Sequence, residues 1–376
     1  MIDGASPLRA MGDPQAPFAT VKAVLGHQGM LEGDRICGRL LSIGDHFDWG
    51  HVVDREVAAR DGEALLRWLA SHDAEQVIIL CGNHDLARVG ELNNLDDQRF
   101  AALQALADAH YHRPVDDDST VEHSGAARAR VIDELDHDEM EFFRACSWLP
   151  STEIVARDLS TYRHSQHLLV KQLLVERRMR LAHADNGLLF THAAITRKAL
   201  TRLGVDDETV AGSSGADIVA AALNRALDEA VARHLVHPTT TPLVIPGLHK
   251  PADGISEGDG VLYHRPTFVH KDQWLEPRRY DPRRLPHGLW QVCGHVRDKR
   301  CISSLKGWSA VREHQVGVVR HLIAWHDADN TVVYRHGLPP PRSEVGDDAS
   351  VVIFIDGAMA ECPPERYQLL DVDAVA

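Results

Sequence analysis

What most limits the folds open to this chain is a recurring pattern: short apolar runs that stop abruptly at Gly, Asp, Asn or His. Such runs predict strands at Leu8–Met11, Leu40–Ile43, Val77–Leu80, Leu188–Phe190, Leu289–Val292, Val318–Ala324, Thr331–Tyr334 and Val351–Ile355. Between the early runs, Phe18–Leu25, Val53–Ser71 and Asp97–His110 carry apolar residues at three-to-four spacing and predict helices. Strand and helix in alternation, with polar side chains at the strand ends, describe an α/β fold that delivers functional groups from loops at the carboxyl ends of its strands.

From Asn94 to Asp185 the strand signals vanish, while Glu139–Leu149 and Tyr162–Ala182 predict helices, which gives a helical insertion over about residues 95–185. Arg197–Leu203 and Ala216–Leu235 predict a second helical segment over about 197–236. The Pro-rich Leu338–Arg342 and acidic Glu344–Asp348 read as an exposed loop before the last strand. A single domain over residues 1–376 is expected, since two-sheet enzymes of this length keep one core.

An apolar fraction of 44% with 25% charged residues suits a globular protein rather than a disordered one. Forty Lys and Arg against 55 Asp and Glu give a net charge of −15, which argues against nucleic acid or an anionic membrane as partner. The start, Met1-Ile2-Asp3-Gly4, has no basic stretch leading into an apolar run, and no segment approaches a membrane span, so a cytoplasmic chain is expected. The six cysteines form no CxxC pair and read as free thiols.

Chemistry concentrates at two strand ends. In Gly44-Asp45-His46-Phe47-Asp48 the glycine permits a sharp turn and the carboxylates suit a hard cation. In Gly82-Asn83-His84-Asp85 an amide oxygen can ligate a metal, His84 can protonate a leaving group, and Asp48 or Asp85 can orient the imidazole. A polar turn is the competing reading of either motif alone; two strands ending this way favour a site.

These motifs resemble those of the calcineurin-like metallophosphoesterases, whose pattern runs D-x-H, G-D-x-x-D, G-N-H-[DE], then histidines after later strands. Asp13-Pro14-Gln15 stands at the first position, with Gln15 where the family has His and an amide oxygen in place of a stronger imidazole ligand. Leu188-Leu189-Phe190-Thr191-His192-Ala193 is similar to the L-F-x-H-A-G segment of the phosphoprotein phosphatase and diadenosine tetraphosphatase branch, and Gly294-His295 matches the late G-H motif, with Gly247-Leu248-His249 as its competitor. The resemblance implies a four-layer α/β/β/α sandwich. It also implies one divalent cation on Asp13, Asp45 and Gln15, and a second on Asp45, Asn83, His192 and His295. Manganese is the first choice of metal, with Fe, Zn or Mg also suitable. It further implies a water activated between the ions for in-line attack on phosphorus, with His84 as general acid oriented by Asp48.

Trp49 stands where many relatives of this branch carry a phosphate-gripping Arg. Gly260-Val261-Leu262-Tyr263-His264-Arg265 resembles the G-P-x-W-Y-R segment of the Shewanella-like phosphatases, which makes Arg265 a candidate phosphate contact, with Asn83 and Arg88 as others. In the helical insertion, Arg163, Arg177, Arg178 and Arg180 read as the solvated face of a helix or as a lid over an anionic substrate. The expected activity is hydrolysis of a phosphoprotein or nucleotide phosphate ester. Competing readings are a dinucleoside polyphosphate hydrolase, a nuclease, and a non-catalytic module that binds phosphorylated ligands.

Overall fold

The computed structural model describes residues 7–111, 135–212, 214–236, 241–270, 275–326 and 330–375. It is a mixed α/β structure with two main sheets. One runs edge to edge as Leu370–Asp371, Leu8–Met11, Arg39–Ser42, Val77–Leu80 and Met179–Arg180; it is parallel except at the Leu370–Asp371 edge. The other runs Val332–His336, Arg320–Ala324, Ser350–Phe354, Trp290–Cys293, Leu188–Thr191 and Ala182–Asp185, with Ser350–Phe354, Trp290–Cys293 and Leu188–Thr191 parallel and the remaining pairs antiparallel.

The two-residue period of a strand sorts the side chains. Leu8, Ala10, Leu41 and Leu80 of the first sheet share one buried cluster with Leu188, Phe190, Trp290, Val292, Ile323, Val351 and Ile353 of the second. The intervening Met11, Leu40, Val77 and Ile79 belong to a different cluster, together with the helices Phe18–His27 and Arg55–Ala70. Val352, Phe354 and Leu322 join Cys301 and Leu305 of the Asp298–Leu305 helix in another. Strands buried on both faces explain why they appear in the sequence as unbroken apolar runs.

The Arg55–Ala70 helix shows how the core reaches the site. Its Ala58, Ala59, Gly62, Leu65, Leu66 and Leu69 lie on the buried stripe expected at helical spacing. A Cβ at Gly62 would sit 2.8 Å from both the His46 carbonyl and the Phe47 ring, so this helix packs directly on the first functional turn.

Two expectations need correction. The Tyr162–Ala182 helix ends early: it spans His164–Val175, and Met179–Arg180 and Ala182–Asp185 become edge strands of the two sheets. The insertion is correspondingly shorter, its helices Asp97–His110 and His137–Ala145 capped by Asp96 and Asp136 and packed in their own cluster. Residues 112–134 of that stretch lie outside the described residues. All six cysteines are free, as expected. No helix of the described residues is long and apolar enough to cross a membrane.

Phe190, fully buried in the cluster shared by both sheets, tests that packing. Phe190→Ala is expected to lower the unfolding free energy by about 3–5 kcal/mol, read from urea denaturation; an unchanged midpoint contradicts the shared core.

Candidate metal centre and active site

Six parallel strands, three from each sheet, end on one cavity of about 490 Å³ or on the residues that border it. Past Met11 comes Asp13, past Ser42 come Asp45 and Asp48, and past Leu80 come Asn83 and His84. From the second sheet His192 follows Thr191, His295 follows Cys293, and Asp356 follows Phe354.

The first two turns touch. Gly44 has φ +110°, and a Cβ there would lie 2.4 Å from the Gly82 nitrogen; a Cβ at Gly82 would lie 2.0 Å from Asp45 Oδ1. Glycine is therefore required on both sides of the contact. Asp45 (φ 59°), Asp48 (φ 64°) and His295 (φ 62°) adopt the left-handed region, a strained setting common at functional sites.

Asp45, His192 and His295 each bring one ligand atom to a point where all three lie within 4.8 Å of one another. His192 Nδ1 is 3.1 Å from the Ile43 carbonyl oxygen, which can only accept, so Nδ1 carries the proton and Nε2 turns to the cavity. There Nε2 meets Asn83 Oδ1 at 3.1 Å and Asp45 Oδ2 at 3.4 Å. A neutral imidazole would face these oxygens lone pair to lone pair, an arrangement that calls for a cation at their centre. Burial opposes a charge on His192, but the Asp45 and Asp13 carboxylates prevail and raise its pKa to about 9. Burial likewise opposes ionisation of Asp45, and His192 and His84 overcome it, holding the carboxyl at about 2. His295 Nε2 is buried with no hydrogen-bond partner among the described residues, and burial, Arg265 and His192 keep the ring neutral, the state a ligand needs. Asp13 Oδ1 is also buried and unpartnered, while Oδ2 accepts from the His295 backbone N–H at 2.9 Å. Burial and the neighbouring Asp356 push Asp13 well above the usual carboxylate range, again the mark of a site lacking positive charge. These orphaned donors and converging acceptors fit divalent cations.

Gln15 lines the same cavity. Its Nε2 donates to the Phe47 carbonyl at 3.2 Å, which fixes the amide orientation and leaves Oε1 as the free end. His249, the competitor of His295, lies outside the ligand group; it is buried, stacked on Tyr263 with centroids 5.8 Å apart, and pushed down to about 4 by burial.

His84 is held as an acid. Its Nδ1 is 2.9 Å from Asp48 Oδ2, and its backbone N–H donates to Asp45 Oδ1 at 3.0 Å. Burial lowers its pKa, yet Asp45 and Asp48 raise it to about 9 overall. Asp48 in turn takes both arms of the Arg88 guanidinium, at 2.7 and 3.0 Å, and the Thr161 hydroxyl at 2.6 Å. Burial notwithstanding, Arg88 and His84 hold its carboxyl far below the usual range.

Two sequence assignments are thereby corrected. Asp85 does not orient His84: its fully buried carboxylate accepts from the backbone N–H groups of Gly82 and Asp45 at 2.8 Å and of His46 at 3.1 Å, and from the His46 ring. Arg88 is no phosphate contact: it is fully buried, fixed to Asp48, and stacked 4.5 Å over the Phe47 ring.

Arg265 lines the cavity, and among the described residues its guanidinium has no hydrogen bond or ion pair. Burial and Arg278 bring its pKa to about 10, so it stays cationic at neutral pH. Arg157, Arg278 and Arg297 also line the cavity but pair with Asp158, Glu257 and Glu361. Trp49 does not line it.

Sequence reasoning missed Asp356, although the signal was present: an apolar strand ending in Asp-Gly, like the first turn read backwards. It also missed Thr161, for which the sequence carries no signal, and Glu91, which accepts from Tyr263 Oη at 3.3 Å in the cavity wall. The basic helix of the insertion is no lid. Arg163 pairs with Glu56, Arg177 and Arg180 with Asp228, and Arg178 binds the His72 and Val77 carbonyls. The insertion lines the cavity instead with Glu153, Ile154, Arg157, Asp158 and Leu159.

No protein-family model, curated protein or solved structure matches this chain, so its geometry carries the functional argument.

Two outcomes test the network. Asp48→Asn leaves Arg88 buried without its counter-charge and is expected to cost about 3–5 kcal/mol in urea denaturation; a neutral effect contradicts the pairing. In metal-stripped protein, His84 and His192 have pKa values of about 9 against about 6.5 in an unfolded chain. Their stabilisation is therefore complete below about pH 6.5 and lost as the pH rises through about 9. Urea midpoints should fall across that window and flatten in the double variant His84→Gln, His192→Gln.

Proposed function

We propose that this chain is a metal-dependent phosphoric ester hydrolase of the calcineurin-like type, a phosphatase. The observation that carries the reading is the meeting of a three-residue metal-ligand group, Asp45, His192 and His295, with a charged imidazole, His84, fixed by Asp48 on the same cavity. The apolar cluster shared by the two sheets, with helices against their other faces, supports a four-layer α/β/β/α sandwich.

On this reading Asp13, Gln15 and Asp45 would hold one divalent ion, and Asp45, Asn83, His192 and His295 the other, with manganese the first choice. Bound there, the ions supply Lewis-acid polarisation of the phosphoryl group and a water of lowered pKa. Arg265 grips a phosphate oxygen through its unpaired guanidinium. His84 Nε2, 3.9 Å from Asp45 Oδ2, faces the centre and delivers its proton to the leaving oxygen, while Asp48 fixes the ring and, with Asp45, keeps it protonated. A pure binding module has no use for such a proton donor. With its other arginines neutralised in ion pairs or otherwise partnered, the cavity suits one phosphate group better than a polyphosphate chain, which favours a phosphomonoester over a dinucleoside polyphosphate.

Manganese-supported hydrolysis of p-nitrophenyl phosphate is the direct test. His84→Ala is expected to lower kcat by about 10²–10⁴-fold, Asp45→Asn to abolish turnover, and Arg265→Ala to raise KM. Absence of turnover with every divalent metal, or full activity in His84→Ala, sinks the proposal.

A further inference from the structure

The last of the six parallel strand ends carries a carboxylate with no role in the chemistry set out above. Asp356 is 5% exposed and lines the same cavity as Asp13, Gln15 and Asp45. The turn bearing Asp13 presses against it: a Cβ at Gly12 would fall 1.9 Å from the Ile355 carbonyl oxygen. Asp356 Oδ1 accepts from the Ala358 N–H at 3.1 Å, while Oδ2 has no hydrogen bond or ion pair among the described residues. The buried Arg320 makes no ion pair with it among the described residues: that guanidinium donates to the Asp356 and Val296 backbone carbonyls. Beside it Asp13 Oδ1, also buried, has no hydrogen-bond partner among the described residues. The amide end of Gln15 left free is again an oxygen.

We infer that Asp356 is a ligand of the ion on the Asp13 side, and that this half of the centre is an oxygen-only site formed by Asp13, Gln15, Asp45 and Asp356. Such a donor set selects a hard cation, Mg²⁺ or Mn²⁺, whereas the half with His192 and His295 suits Zn²⁺ or Fe²⁺ as well. The two ions then differ in identity and in ease of exchange. The carboxylate stands in for the imidazole that Gln15 does not provide. This rests on the two-metal reading above. The plainer alternative is that Asp356 only shapes the turn at Ala358, whose φ of 53° its side chain supports.

Asn forms the same turn, so Asp356→Asn separates the two. Chelator-stripped full-length protein is titrated with Mn²⁺ alone and with Mn²⁺ after one equivalent of Zn²⁺, reading bound Mn²⁺ by electron paramagnetic resonance and total metal by mass spectrometry. Wild type is expected to hold two ions, and Asp356→Asn to keep the Zn²⁺ while its Mn²⁺ affinity falls more than about tenfold, with unchanged melting in chelator. Two ions at unchanged affinity in Asp356→Asn overturn the ligand assignment while the metal centre stands. No ion bound by wild type overturns the two-metal reading itself. As a second arm, Gln15→His adds a nitrogen donor and is expected to shift the weaker site toward Zn²⁺; an unaltered preference overturns the oxygen-only assignment.

Discussion

The Asp85 carboxylate accepts hydrogen bonds from the backbone N–H groups of Gly82, Asp45 and His46, and so joins the two strand-end turns on which the centre is built. Charge-assisted bonds of this kind are about twice as strong as neutral ones, and four donors, the His46 ring included, compensate a carboxylate that burial alone would neutralise. With the turns clasped, Asp45 is held in its left-handed conformation, and its Oδ1 meets the His84 N–H. The other oxygen, Oδ2, is left for His192. Strain of about 1–3 kcal/mol at such a residue persists only where its surroundings impose it. Here the imposing group is a residue that never touches the cavity.

Much of this was legible in the sequence because backbone connectivity wrote it there. The strands Val77–Leu80 and Leu188–Thr191 are largely buried on both faces, so each appears as a mostly apolar run, and the polar residues just past the run are the ones presented at the site. Asp45, Asn83 and His84 followed from that rule, whereas Asp13, His192 and His295 were picked out by the motif resemblance. The edge strands Ala182–Asp185 and Leu370–Asp371 escaped it, being short, partly polar and stabilised by a neighbour rather than by their own pattern.

Roles that depend on direction were harder to read. Asp85 adjoins His84 in sequence but sits at the third position of the Asn83–Ala87 helix, where its side chain turns back to the Gly82 N–H. Asp48, thirty-six residues away from His84, is the one beside its ring. Arg88 follows the motif closely enough to suggest a phosphate contact. One helical turn beyond His84, however, it lies beneath the site and meets Asp48 from behind. Sequence proximity identifies which residues share a loop; only the fold determines which way each side chain points.

The helical insertion enters the chemistry through the same carboxylate. Asp48 is gripped on one side by Arg88 from the core and on the other by the hydroxyl and backbone N–H of Thr161 from the insertion. Gln166, on the helix that follows, accepts from Arg88 and donates to the Thr161 carbonyl, tying both partners together. Every donor to Asp48 keeps it ionised, and an ionised Asp48 joins Asp45 in keeping His84 protonated. The segment that supplies Thr161 also supplies the wall from Glu153 to Leu159. The insertion therefore contributes to the wall of the cavity and, through Asp48, to the protonation of His84 by one continuous stretch of chain, and altering the first without disturbing the second requires Thr161 to stay in place.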